Sequence, residues 1–516
     1  MADGAVALRP GWPGTIAAAG LTALILGTLA AVAWQAGGLT RLGPWDWAAV
    51  RFTLWQAALS ATLSAVLAVP VAKALARRDF PGRAGLVTLL GAPFILPVIV
   101  AIMGLVAVFG RNGMANAALT WAGLPTVSIY GWQGVILAHV FFNLPLSVRL
   151  VLHGWQAIPS ERFRLAQSLG FTPRDIARHL ERPMLREVLP GVWLAVFLVC
   201  LTSFAVALAL GGGPRATTVE LAIYQAFRFD FDLGRAAALG LVQVVLSIGA
   251  MVLAAFVAMP AAFGAGMDGR AQMSGSGGWR RGADALVITV AAGFLILPMA
   301  SVITTGLPRI PALPDQVWAA AGRSVTMALI SAFATLALTL MIALAAVRRG
   351  GRWVEGAGML PIVASPLVLG TGLFLILRPY VTPGQIALPV TVAINAIMAL
   401  PFALRALIPA ARALQADYGR LAESLNLRGI ARLRLLVLPR LARPLGFSGG
   451  LAAALAMGDL GVIALFADAG RATLPLMLYQ LMSTYRLTDA AACAVLLMGI
   501  SFALFWAFDQ GGRLNA

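Results

Sequence analysis

The side chains that could do chemistry are few, and their spacing rules out most familiar combinations. The three histidines, His139, His153 and His179, stand at no metal-ligand spacing with a cysteine or carboxylate. Cys200 and Cys493 each lie in an apolar run, where a thiol is ordinarily inert packing. Lys73 is the only lysine, so no Gly-x-x-x-x-Gly-Lys-Ser/Thr loop is possible and the chain should not hydrolyse ATP itself. The expectation is therefore not an enzyme, with no cofactor or metal held by this chain. What remains is Asp459, the one acidic residue in the middle of an apolar run. A carboxylate at membrane depth must face a bundle interior or a wet cavity. It would favour a cationic solute there; the plainer alternative is a helix-end or interhelical hydrogen-bond partner, since Gly458 and Gly461 beside it suggest a kink or close packing. Asn143 and Ser203 join Asp459 as candidates for a translocation pathway, although Asn143 and His139 also suit a role as polar glue between helices.

These residues need elements to position them. Hydrophobic residues make up 60% of the chain and charged residues 11%, against roughly 25% charged in a soluble domain. A chain of 516 residues this apolar reads as an all-α polytopic membrane protein. Twelve runs approach the roughly 20 residues a spanning helix needs, and they are too long for barrel strands. They begin with Thr15–Gln35 and end with Ala490–Phe508, and they include Leu86–Phe109, Val188–Leu210, Met359–Leu377 and Leu445–Phe466. Most Lys and Arg fall on one side if both termini are cytoplasmic, the arrangement the positive-inside rule favours. The net charge of +18 then faces anionic membrane lipid, and no nucleic-acid partner is required.

Two polar loops interrupt this pattern in register. Ile158–Gly170, continuing to Pro183, is echoed by Ala413–Asn426, continuing to Pro439. Both contain Arg-Leu-Ala-x-Ser-Leu, with Arg164, Leu165 and Ala166 in one copy and Arg420, Leu421 and Ala422 in the other. Gly170 pairs with Asn426 and Pro183 with Pro439, each pair 256 residues apart, and Leu144-Pro145 matches Leu400-Pro401 at the same spacing. A constant offset of this kind marks two copies of one unit. The chain divides into a first six-helix half (1–260), a flexible Gly/Ser-rich linker (261–284) and a second six-helix half (285–516). An even helix count per half makes the two halves parallel pseudo-repeats, with the linker on the cytoplasmic side. The loops could be ordinary basic cytoplasmic loops. Their shared core and fixed proline suit instead a short helix that docks in a partner's groove, with Pro183 and Pro439 breaking the chain before the next span. The segments Leu210–Gln225 and Phe466–Gln480 are expected outside, as short interfacial helices with tyrosines at headgroup depth.

Both loops resemble the EAA loop of permease subunits of bacterial ABC importers, in which Glu-Ala-Ala is followed by Gly, a hydrophobic residue and Pro. Ala166, Gly170, Leu180 and Pro183 fall on that pattern, as do Ala422, Asn426, Leu436 and Pro439. Arg164 and Arg420 replace the Glu, Leu165 and Leu421 replace the first Ala, and Asn426 replaces the Gly. Within that superfamily, Gly131–Pro145, Leu210–Gln225 and Gly458–Phe466 resemble the thiamine importer permeases. The resemblance implies a fused twelve-helix permease in the bacterial inner membrane. Its partners would be a cytoplasmic dimer of separate ATPases, which bind ATP and Mg, and a periplasmic thiamine-binding protein. Its cargo would be thiamine or its phosphate esters, carried by alternating access. The alternatives are a fused iron(III) importer permease of the same architecture, a self-sufficient secondary carrier or channel, and a membrane scaffold without transport.

Overall fold

Long apolar runs can satisfy their backbone in lipid only along their own axis, and these runs do so as helices. The computed structural model describes residues 12–37, 42–90, 95–211, 213–256, 278–348, 351–381, 383–466 and 469–514. The first half comprises α1 (Trp12–Ala36), α2 (Pro44–Arg77), α3 (Arg83–Leu89), α4 (Val98–Phe109), α5 (Met114–Trp121) and α6 (Trp132–Gln156). It continues with α7 (Ser160–Ser168), α8 (Pro173–Ile176), α9 (Arg182–Leu201), α10 (Ala205–Leu210), α11 (Val219–Arg228) and α12 (Leu233–Ala255). The second half comprises α13 (Trp279–Gly306), α14 (Asp315–Ala346), α15 (Arg352–Met359), α16 (Pro366–Leu377) and α17 (Pro383–Ser424). It ends with α18 (Gly429–Arg432), α19 (Leu438–Met457), α20 (Gly461–Phe466), α21 (Leu474–Ser483) and α22 (Leu487–Leu514). Among the described residues, eleven helices are long and apolar enough to cross a membrane, and a bent pair makes a twelfth. The chain is an all-α, multi-pass membrane protein. Residues 261–277 of the expected linker lie outside the described residues, and α13 already begins at Trp279.

Four of the expected spans are broken rather than continuous. Leu86–Phe109 is two helices, α3 and α4. Pro97 has no amide to donate and holds an extended ψ of 132°, so α4 starts afresh after it. Met359–Leu377 bends by 96° before Pro366, where Ser365 Oγ accepts from the Val368 amide and caps α16. Val188–Leu210 breaks between α9 and α10, and Leu445–Phe466 between α19 and α20. Hydropathy reports an apolar environment, and a break buried inside protein keeps the same apolar composition.

The first helix of each half packs on the other half. Gly104 of α4 lies against α13, so that a Cβ there would fall 2.7 Å from the Pro298 carbonyl oxygen. Gly372 of α16 lies against α1 in the same way, with a Cβ falling 2.6 Å from the Thr28 carbonyl oxygen. Glycine at these two points lets the backbones touch, the usual device where packing rather than water drives helix association.

The expected interfacial helices, α11 and α21, are instead set into the bundle. Val219 through Tyr224 are all buried, as are Leu474 through Leu478, so neither tyrosine segment lies on the surface as a separate helix. A matching bond fixes each N-terminus: the Val219 amide donates to Thr53 Oγ1 of α2 at 2.9 Å, and the Leu474 amide to Ser324 Oγ of α14 at 2.8 Å. The expected break at Pro183 and Pro439 is also replaced. A π-helical turn, Ala177–Glu181 in one half and Leu433–Val437 in the other, leads into each proline. Widening the turn relieves the clash between the proline ring and the carbonyl four residues back, so the helix continues.

Candidate functional site

Two features stand out, one in the middle of the bundle and one at the end that carries the polar loops. In the middle, the broken helices converge. A Cβ on Gly458 would lie 3.3 Å from Pro97 Cα, and one on Gly461 would lie 3.6 Å from the Phe204 ring and 3.9 Å from Leu367. The breaks of both halves therefore meet across the interface. Ser203 stands in the first-half break and Asp459 in the second, each partly accessible.

Breaking a helix leaves carbonyls without partners. In the first half, side chains from neighbouring helices take them up. Gln56 Nε2 of α2 donates to the Cys200 carbonyl at 2.9 Å, and Gln243 Nε2 of α12 donates to the Leu201 carbonyl at 3.1 Å. Ser203 Oγ is 2.8 Å from His139 Nε2 of α6. Asn143 donates to the His139 carbonyl at 2.8 Å and to Cys200 Sγ at 3.3 Å. The sequence-nominated Asn143 and Ser203 thus share one buried network through His139.

The second break is organised by Asp459 itself. Its Oδ1 accepts from the Gly461 and Val462 amides at 3.1 and 3.4 Å, capping α20. Asp459 Oδ2 is buried with no hydrogen-bond partner. Asn395, at the α17 position that matches His139 in the repeat, faces it. The helix-end role weighed from sequence is therefore present, with Asn395 the polar neighbour of the carboxylate.

At the loop end, α7 closes on Gly170 with φ +70°, and α17 closes on Asn426 with φ +50°. Each left-handed residue completes the same pair of bonds. The Phe171 amide donates to the Ala166 carbonyl at 2.9 Å and the Gly170 amide to Gln167 at 3.0 Å. The Leu427 and Asn426 amides donate to Ala422 and Glu423 at 2.8 and 3.0 Å. Asn is the best substitute for Gly in this conformation. Ala166 and Ala422 are buried. Leu165, Leu169, Leu421 and Leu425 are all more than half exposed, at matching positions. Arg164 is solvent-exposed, paired with Glu161 at 3.0 Å. Arg420, Pro183 and Pro439 are exposed as well. Asp175, accepting from Thr172 in a capping box at the start of α8, has its pKa held below the usual carboxylate range by those bonds.

No family model matches the chain. Individual relatives do. It is 38% identical to the thiamine transport system permease protein of Brucella abortus over 518 residues, spanning 96% of this chain and 94% of the relative. It is 39% identical to the protein of that name in Salmonella typhimurium, spanning 98% and 97%. It is 38% identical to the one in Escherichia coli, with the same coverage. The chain belongs to the thiamine transport system permease family. The iron(III) alternative finds no support in these full-length relatives.

In this family member, sequence reasoning passed over several polar groups. Gln56 and Gln243 lie inside apolar runs and could have been found as Asp459 was, by asking which polar side chain lipid could not tolerate. Lys73 and Glu181 form an ion pair that ties the π turn after the first loop to α2, with Arg77 3.9 Å away. Glu220, on α11, escaped notice because its segment was placed outside the bundle. Among the described residues, no group of three or more His, Cys, Asp or Glu could hold a metal.

Proposed function

We propose that this chain is the membrane-spanning subunit of an ATP-driven, binding-protein-dependent importer that carries thiamine or its phosphate esters across the bacterial inner membrane. Both termini and both polar loops face the cytoplasm. There a dimer of separate ATPase subunits binds ATP and Mg and grips the loops, and on the opposite face a thiamine-binding protein delivers the cargo. The observation that carries this reading is the matched pair of loops. Each presents two exposed leucines just before a left-handed residue and is joined through a π turn to a helix that breaks in mid-bundle. An exposed apolar ridge on a short helix suits a partner's groove. Arg164, Leu165 and Pro183 form one contact, shaped by buried Ala166 and left-handed Gly170, and Arg420, Leu421 and Pro439 the other, shaped by Ala422 and Asn426.

The ATPases do work on the permease only through contacts that differ between their nucleotide states. Movement of a loop is transmitted along α9 or α19 to the break at Ser203 or Asp459, where the halves meet. Asp459 lines the path there and favours a cationic cargo, with Ser203 and Asn143 beside the first-half break. The relatives' name, together with this carboxylate, points to thiamine.

The test is a double substitution, Gly170→Asp with Asn426→Asp. It should abolish thiamine uptake while leaving the protein in the membrane. Unimpaired uptake by a correctly inserted double variant overturns the reading.

A further inference from the structure

Glu220 sits in the first turn of α11. It is fully buried, and neither carboxylate oxygen has a hydrogen-bond partner. Ser365 stands beside it; its hydroxyl oxygen caps α16 by accepting from Val368, which leaves one O–H as the only nearby donor for two carboxylate oxygens among the described residues. Tyr224 and Phe227 follow at i+4 and i+7, on the same face of the helix. That face looks across the interface between the halves. The Phe227 ring meets Phe374 of α16 edge to face at 4.7 Å and Phe466 of α20 at 5.8 Å. The Tyr224 ring meets Phe204, at the first break, at 5.3 Å. One strip of α11 thus carries an acid and then two rings, all pressed against the other half or the central break.

Packing alone does not account for the acid. The second half builds the corresponding helix with Pro475 at that position. A buried carboxyl with at most one hydroxyl to bond is costly unless another state of the protein supplies further partners. A carboxylate beside aromatic faces is the surface that attracts a flat organic cation.

We propose that Glu220, Tyr224, Phe227 and Phe374 form a latent binding site for an aromatic cation, closed in this structure by the packing of α11 on α16. The site is distinct from Asp459 and opens when the halves part on the side away from the loops. It rests on the alternating-access reading above, because only separation of α11 from α16 uncovers it. In the open state, the thiazolium ring of thiamine stacks against the rings and its charge is met by Glu220.

The experiment uses the permease assembled with its ATPases in lipid nanodiscs, trapped with ATP and vanadate, and without binding protein. Binding of labelled thiamine is measured directly. The wild-type complex should bind thiamine; Glu220→Gln should weaken binding at least tenfold, and Glu220→Asp should recover part of it. Phe374→Leu, in the other half, should also weaken binding, which keeps the test valid if Glu220→Gln does not assemble. Wild-type affinity in Glu220→Gln and Phe374→Leu overturns the proposal, as does absence of thiamine binding to the trapped wild-type complex. In either case the importer reading stands so long as the ATPases co-purify and drive uptake. Failure of any ATPase to assemble on the wild-type chain would instead bring down the importer reading itself.

Discussion

At the first break, between α9 and α10, Gln56 of α2 and Gln243 of α12 bond the freed carbonyls, and His139 of α6 bonds the Ser203 hydroxyl, with Asn143 behind it. At the second, between α19 and α20, the positions matching the two glutamines are Met327 and Leu497, and Asp459 caps the new helix. The backbone problem is the same in both halves, and the solutions differ. The first break is braced from several directions. The second depends on one residue. The loops show a related division. The first is anchored outside itself, by the ion pair between Glu181 and Lys73 of α2. The second is anchored to its own helix: Arg432 donates to Gln415 at 2.7 Å, and Arg440 lies over the Tyr418 ring at 4.6 Å. The two halves share a backbone geometry, and their polar chemistry differs. The first break is held by neighbouring side chains, and the second by its own carboxylate.

The comparison breaks most directly at the two central residues. Asp459→Asn should lower thiamine uptake by about tenfold or more, equivalent to ~1.4 kcal/mol or more of lost stabilisation along the path. Ser203→Ala should lower it by less than about threefold, since His139 remains fixed by its neighbours. Uptake is measured in vesicles at matched protein levels. Equal losses from the two variants would mean that both breaks serve the solute alike, and the division of roles would be wrong.

A smaller effect is expected from the loop anchors. Glu181 is nearly fully buried, so Lys73→Met leaves its charge with only Arg77 at 3.9 Å. The cost should be about 2 kcal/mol, less than for a fully buried pair because Lys73 itself reaches solvent. The matching positions in the second half, Leu344 and Val437, are apolar; Val437→Ala should cost about 1 kcal/mol. Denaturant titration in detergent compares the two. If Val437→Ala proves the costlier, the first loop is not the more firmly anchored one.

The sequence made the repeat plain because its signature lies in polar residues, which an apolar chain cannot hide. The paired loops were legible for that reason, and the long apolar runs marked the all-α, multi-pass architecture. Of the breaks, only the one at Gly458 and Gly461 left a sign, as a kink. Leu86–Phe109 and Leu445–Phe466 are apolar throughout except at the break itself, and a helix interrupted inside protein has the hydropathy of an intact one. Burial of α11 and α21 was equally hidden, because Gly211-Gly-Gly-Pro214 reads as an outer turn whether the chain then runs along the surface or turns back into the bundle. The exchange of α1 and α13 between halves depends on Gly372 meeting Thr28 and Gly104 meeting Pro298. Those contacts join segments far apart in the chain, and a periodicity says nothing about them.

The smallest expected effect concerns the two left-handed turns. Gly170 and Asn426 hold the same backbone conformation, yet only Gly, which has no Cβ, adopts it without steric cost. Asn426→Gly should therefore leave the second turn intact, with a change of a few tenths of a kcal/mol. Gly170→Ala should cost roughly 1 kcal/mol, because alanine has neither glycine's freedom nor the local hydrogen bonding that helps Asn. The sensitive readout is local: hydrogen exchange at the Phe171 and Leu427 amides, which donate to Ala166 and Ala422 across the two turns. Faster exchange at Phe171 in Gly170→Ala, with Leu427 unchanged, would show two independent turns of one design. Acceleration at both would mean that the loops are coupled through the bundle even before an ATPase joins them.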